Sequence, residues 1–315
     1  MGDHFDECGL ATTWQLRVNG VTKDFIEAQV AAQRWQRVTR GVYACFTGPL
    51  PRQTRLAAAL LYAGPLSVLS HQTAAEEWGI LRIDEDRPVH VTVPYTCSAV
   101  SCLPLVQLHR SRAFRYIGVG TDLLPRTTSV VTVVDLAVAE TSPDEAMRSL
   151  IALANRAHVT VWQLLNQLAV RPPYRYRAVL KEAVGHFARG VTSALEYEYM
   201  SEVEMAHRLP AGQRQTPFAV DGRTLYEDVT YDNIGVRLTV RLDGKEHHSV
   251  RGVAFRDRRR DNAAELQGRA RLVYGWHDVH SNPCEVAREV LTVLRREGWN
   301  GPVTTCSRCS GLVSD

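Results

Sequence analysis

The chain has 315 residues, 45% of them hydrophobic and 23% charged, with a formal net charge of +3. That length predicts roughly two or three domains, each with its own core, and so balanced a charge excludes any case for nucleic-acid binding from net charge alone; the placement of the basic residues has to carry it. No apolar run approaches the ~18 residues of a membrane helix. The first residues show no basic stretch before an apolar core, and the seven scattered cysteines suit reduced thiols. The expectation is a cytoplasmic protein with no membrane partner.

Residues 8–50 come first. Thr12 and Thr13 stand where a cap would start a short helix through Leu16 and Val18, closed at Gly20. Thr22 caps a second helix with Phe25, Ile26 and Val30 on one face and Lys23, Gln29 and Gln33 off it. The run WQRVTRGVYA, residues 35–44, is β-branched and aromatic and breaks at Arg40-Gly41, the pattern of a two-stranded wing. Short helix, turn, amphipathic helix and basic wing is the order of a winged helix-turn-helix. There the second helix enters the major groove of double-stranded DNA, and Arg37 and Arg40 would meet phosphates. The same pattern also fits a small structural subdomain with solvated arginines.

The runs GVTKDFIEAQVAAQRWQRVTRGVYA, VLSHQTAAEEWGI and TTSVVTVVDLA, within residues 8–140, resemble the AbiEi-type antitoxin winged-helix domain and the segment that follows it. The resemblance implies a bacterial transcriptional repressor of a toxin–antitoxin or phage-defence locus, with double-stranded DNA as one partner and a toxin-like protein as another.

Residues 51–188 read as a mixed α/β connecting region. Leu56, Leu60 and Leu61 form a helical stripe that stops at Gly64-Pro65, and Ser67 to Ser70 suit a short strand. His71 precedes a short helix closed at Gly79 and is read as a loop-tying histidine rather than a partner contact. VHVTVP and LVQLHR are period-two strands, and helices follow over residues 144–157 and 160–169. Nothing in this region has catalytic spacing, and its expected work is to join the ends of the protein and to form a homodimer.

Residues 189–300 carry the chemistry. Ser193 caps a helix running to His207, with Glu196 near its start. TPFAV, TLYEDVTY and GVRLTVRLDG read as strands, and the period of two puts Arg241 and Asp243 on one face. A helix with Phe255, Leu266 and a dense arginine turn follows, then the strand ARLVYGW. Asn282-Pro283 opens a closing helix with Val286, Val290 and Leu294 inward, ended by Gly298. The order is α-β-β-β-α-β-α. Asp228 and Asp243 on adjacent strands, with His247 and His248 beyond, suit phosphodiester hydrolysis. Carboxylate oxygens hold Mg²⁺ or Mn²⁺, the ion supplies hydroxide, and a histidine moves a proton. Arg256, Arg258, Arg259 and Arg260 would hold the DNA backbone. Singly, each residue has a plainer reading, since Asp-Gly is a turn former and a basic helix is commonly a solvated face.

SALE, EDVTYDNIGVRLTVRLDGKEHH, FRDRRRDN and LVYGWHDV with the following Asn-Pro, within residues 193–300, resemble the domain of unknown function related to very-short-patch-repair endonucleases, in the PD-(D/E)XK nuclease superfamily. The resemblance implies a restriction-endonuclease-like fold in which Glu196 is the helix carboxylate, Asp228 and Asp243 hold the metal, and His247 and His248 are the proton-transfer candidates. One departure stands out. The related family has glutamate where this chain has Arg241, so RLDG replaces ELDG, although the very-short-patch-repair enzymes themselves lack an acid at this position. At ~4 Å and an effective dielectric of ~20, a +1 and a +2 charge repel by about 8 kcal/mol. Arg241 is therefore expected to point away, to pair with Asp228 or Glu196, or to exclude the ion.

The combined expectation is an α+β and α/β multidomain DNA-binding protein that hydrolyses DNA phosphodiesters; the alternative is a non-catalytic antitoxin-like regulator with a degenerate nuclease domain. Residues 301–315 read as a polar tail. Its Cys306 and Cys309 have half of a zinc-site spacing, no second such pair is evident, and only Cys284 or His280 could join them in space. No zinc is expected there.

Overall fold

A computed structural model of the chain describes residues 8–120, 124–171, 174–220, 223–243 and 268–309. It is a mixed α/β protein with three sheets among the described residues, and the chain divides into two compact units, Met1–Lys181 and Glu182–Asp315.

The first unit opens with β1 (Leu10–Thr12), α1 (Thr13–Val18), α2 (Lys23–Ala31), β2 (Gln36–Thr39) and β3 (Val42–Ala44), in a small sheet ordered β1-β3-β2. Capping chemistry starts both helices. Thr12 Oγ1 accepts the Gln15 N–H at 3.2 Å while Gln15 Oε1 accepts the Thr12 N–H at 2.7 Å, a reciprocal box that satisfies two orphan donors. Thr22 does half as much for α2 through the Phe25 N–H. Gly41, at φ +80, makes the tight turn of the β2–β3 hairpin. Leu16, Ile26 and Tyr43 close a small core between these pieces.

Gln33 does not lie on the second helix as expected. Helix α2 stops at Ala31, and Gln33 takes φ 56, with its N–H on the Val30 carbonyl and the Arg34 N–H on the Gln29 carbonyl, both at 3.0 Å. This is a Schellman closure made without glycine.

The remainder of this unit contains α3 (Arg52–Ala63), β4 (Val68–Leu69), α4 (His71–Glu77), β5 (Val89–Pro94), β6 (Val106–Ser111), β7 (Val119–Gly120) and β8 (Arg126–Thr127). The strands form one mixed sheet ordered β6-β5-β4-β8-β7. Helix α3 packs its alanine and leucine face on the inward residues Leu69, Val91, Val93 and Val106. Helices α5 (Ser129–Ala139), α6 (Pro143–Arg156) and α7 (Val161–Val170) follow, and α8 (Arg177–Ala188) carries the chain into the second unit. Ser142, Pro143 and Glu145 start α6 as a capping box with proline at the first turn.

In the second unit, α9 (Ala194–Glu198) continues as a π-helix over Tyr199–Met205. Then come β9 (Gln213–Val220), β10 (Arg223–Thr230), β11 (Leu238–Asp243), β12 (Ala270–Gly275), α10 (Trp276–Ser281) and α11 (Pro283–Arg296). The sheet is ordered β12-β11-β10-β9, antiparallel from β9 to β11 and parallel between β11 and β12. Val236, Leu238, Val240 and Leu242 are buried as their alternation predicts, and α11 turns Val286, Val290 and Leu294 onto them. The helix expected around Phe255 and Leu266 falls outside the described residues. Residues 301–309, read above as part of a polar tail, run back along the unit. The Thr304 N–H donates to the His207 carbonyl at 3.1 Å, Arg295 donates to the Trp299 and Gly301 carbonyls at 3.0 Å, and Val303 packs on the core.

Candidate functional site

Strand pairing positions Asp228. Val229 and Thr230 on β10 face Val240 and Thr239 on β11, and one residue further a side chain takes part in the ladder, the Leu242 N–H donating to Asp228 Oδ2 at 2.8 Å. Asp228 therefore anchors β11 in addition to any other role. Glu196 stands in the first turn of α9, 5% exposed. Its carboxylate accepts the Thr192 N–H and hydroxyl at 3.0 Å, the Ser193 hydroxyl at 3.2 Å and Gln215 Nε2 at 3.3 Å. Burial raises its pKa above the usual carboxylate range, the negative charge of Asp228 adds to that, and the Thr192 and Ser193 donors oppose it. Glu196 and Asp228 thus share one electrostatic field.

Arg241 meets Asp243. Its Nε donates to Asp243 Oδ1 at 2.7 Å, with the arginine side chain 12% exposed and the aspartate 41%. This partner is neither Asp228 nor Glu196, the acids named in one of the three outcomes that the sequence leaves open. Its origin is local, because residues two apart on a strand project from the same face. A divalent ion shared by Asp228 and Asp243 would have this guanidinium beside it, a repulsion of about 8 kcal/mol for a +1 and a +2 charge at ~4 Å and an effective dielectric of ~20 that its carboxylate ligands would have to outweigh. As arranged, one oxygen of Asp243 is engaged by the Arg241 guanidinium. His247, His248, Arg256, Arg258, Arg259 and Arg260 lie outside the described residues.

In the first unit Lys23, Gln33, Arg37 and Arg40 are exposed and Gln29 is half-buried. Lys23 pairs with Glu27 at 3.4 Å, an exposed contact weak enough for a phosphate to replace. Gln29 Oε1 accepts from Arg34 Nε at 2.6 Å, and the Arg37 guanidinium lies 5.7 Å from the centre of the Tyr43 ring. Arg40 stands at the hairpin turn.

The middle region holds a cluster that sequence reasoning passed over. His71 and His109 stack at 3.7 Å between ring centres, His90 Nδ1 lies 2.9 Å from His109 Nε2, and His71 Nδ1 lies 3.0 Å from Ser70 Oγ. His71 and His109 line a cavity of about 680 Å³ together with Arg110, Arg112, Asp135 and Arg171; the last two form an ion pair at 2.5 Å. A signal was present. In the parallel β5–β6 register Thr92 faces His109, so His90, two residues before Thr92, shares the face of His109. Only the register, which the sequence does not print, brings them together.

Burial, then the neighbouring histidines and Arg171, push His71 well below its ordinary pKa. Burial, then His109 and Arg87, lower His90 from 6.5 to about 4, and burial lowers His109. The unfolded chain therefore takes up protons that the folded one refuses. This stability is present above pH 6.5 and lost as pH falls towards about 4. The thermal midpoint of the unit is expected to fall steadily over that window, and His90→Gln should flatten the fall. An equal slope in both proteins, followed by circular dichroism, would refute the assignment.

No family model matches the chain, and no curated protein matches it. A solved structure, the crystal structure of the RV2827C protein from Mycobacterium tuberculosis, matches at 18% identity over 59% of this chain and 73% of that chain, with a TM-score of 0.35. A likeness that loose says nothing of shared function.

Proposed function

We propose that the protein is a regulator that binds double-stranded DNA without cutting it. Residues 8–50 act as a winged helix-turn-helix, and the β9–β12 sheet is a nuclease-type scaffold whose acidic centre is closed to metal. The observation that carries the non-catalytic half is the 2.7 Å bond from Arg241 to Asp243. The DNA half is supported by exposed Lys23 on α2 and exposed Arg37 and Arg40 on the following hairpin, the elements that enter the major groove and lie along the backbone in a winged helix.

Each phosphate contact contributes about 0.9 to the slope of log affinity against log salt. Replacing Arg37 and Arg40 together by alanine is expected to reduce that slope by about 2 and to weaken binding about equally on different duplexes. Fluorescence anisotropy across a salt series measures both quantities. An unchanged slope would remove the hairpin from the interface.

A second reading, metal-dependent hydrolysis, is favoured by the electrostatic coupling of Glu196 to Asp228, because repulsion between carboxylates is what a divalent ion relieves. In that reading Asp228 and Asp243 hold Mg²⁺ or Mn²⁺, Glu196 supports them, and His248 or His247 moves the proton. Nicking of supercoiled DNA by the purified chain with either ion, lost in Asp228→Asn, would decide for it. The asparagine keeps an acceptor for the Leu242 N–H, so the loss would not be one of fold.

A further inference from the structure

Four soft ligands from three distant stretches converge in the second unit. Cys284 stands in the first turn of α11, Cys306 and Cys309 follow in the returning segment, and His207 lies just past the π-helical turn. Cys284 Sγ is 3.5 Å from Cys306 Sγ, Cys306 Sγ is 3.7 Å from Cys309 Sγ, and Cys309 Sγ is 3.3 Å from His207 Nε2. The four donor atoms all lie within 4.8 Å of one another. We propose that His207, Cys284, Cys306 and Cys309 hold one zinc ion that pins the returning segment to the body of the unit.

Tetrahedral bonds of ~2.3 Å to sulfur and ~2.0 Å to nitrogen put donors roughly 3.5–3.8 Å apart. The contacts at 3.5, 3.7 and 3.3 Å lie close to that spacing, and all four donors are near enough for one ion to draw in. A disulfide would need sulfurs at ~2.05 Å and would have no use for a third cysteine and an imidazole. His207 is oriented for ligation. It is 2% exposed, and its Nδ1 lies 3.0 Å from the Val203 carbonyl, which accepts the Nδ1 proton and leaves the Nε2 lone pair directed at the cluster. The Arg308 N–H donates to Cys306 Sγ at 3.4 Å, as suits a thiolate held in a Cys-x-x-Cys turn.

Thiolate and imidazole select a borderline-soft ion such as zinc, where the carboxylates elsewhere in this unit would select a hard one. Four protein ligands leave no open position for water or substrate, so the site is structural. Of the two residues that the sequence offers as further ligands, Cys284 joins the cluster and His280 lies instead 3.5 Å from Glu198; the fourth ligand, His207, is 102 residues from the cysteine it meets, a separation only folding removes.

The test is the metal content of the full chain, purified under reducing conditions and dialysed against metal-free buffer. About one zinc per chain is expected by plasma mass spectrometry, falling to less than half of that in Cys309→Ser. Cobalt loaded in place of zinc is expected to give thiolate-to-metal charge-transfer absorption and the ligand-field bands of a tetrahedral ion. If Cys309→Ser does not fold, His207→Cys still offers four ligands and is expected to keep the ion while shifting the cobalt bands. Wild-type protein that carries no zinc and gives no charge-transfer band would overturn the proposal. So would a Cys284–Cys306 disulfide in freshly purified chain.

Discussion

Arg214→Met is expected to destabilise the second unit by about 3–5 kcal/mol, the usual cost of stranding a buried charge. Arg214 and Glu204 are an ion pair at 2.5 Å with side chains 5% and 2% exposed. The Glu204 carboxylate also accepts the Gly212 N–H at 3.0 Å and the Tyr231 hydroxyl at 2.8 Å, and the Tyr231 hydroxyl lies 2.9 Å from that of Tyr199. Both tyrosines are fully buried, so nothing wet can replace the guanidinium. The cost arises from the carboxylate left behind more than from the lost attraction. Adding Glu204→Gln should therefore recover a large part of it. Urea unfolding of the two single variants and the double variant gives the coupling. Additive losses would show that the pair is not the unit of stability assumed here.

Arg241→Glu should have the second large effect, on metal affinity. The substitution removes a cation from beside Asp243 and adds a carboxylate on the same strand face, across the β10–β11 pairing from Asp228. The relief of about 8 kcal/mol of repulsion is offset in part by crowding of acids, yet a gain of tenfold in Mn²⁺ affinity needs only about 1.4 kcal/mol. Calorimetric titration is expected to show at least that gain. The metal-free variant should melt below the wild type and recover as Mn²⁺ is added, because an ion that binds only the folded state stabilises it by mass action. Arg241→Met separates loss of the cation from gain of the acid. If the wild type binds Mn²⁺ as tightly as the variant, Arg241 is no barrier and the endonuclease reading gains ground.

What the sequence made legible was short in range. Thr12, Thr22 and Ser193 cap their helices through hydrogen bonds to the residue three further on. The break at Arg40-Gly41 is a hairpin turn, and alternation along β11 selects the buried face. Each follows from dihedral preference and side-chain period, which neighbours in sequence decide. Arg241 and Asp243 are legible as sharing a face, but the outcomes considered for the arginine, pointing away, pairing with Asp228 or Glu196, or excluding the ion, leave out the nearer acid that it meets. The Cys–His convergence and the stacking of His109 with His71 and with His90 depend on where distant segments return, and no local pattern encodes that. Gln33 was misplaced for a subtler reason. Ala31 and Ala32 favour helix, and the backbone closes just after them through Gln33, a left-handed residue that is not glycine.

The return of residues 301–309 changes where the second unit ends. By hydrophilicity the natural place to divide the chain is just after Gly298. Thr304 on the His207 carbonyl, Val303 on the core and the paired cysteines make this strip the outermost course of the unit. A fragment cut for separate study must include it through Cys309, and one that stops at residue 300 is a deletion from the interior.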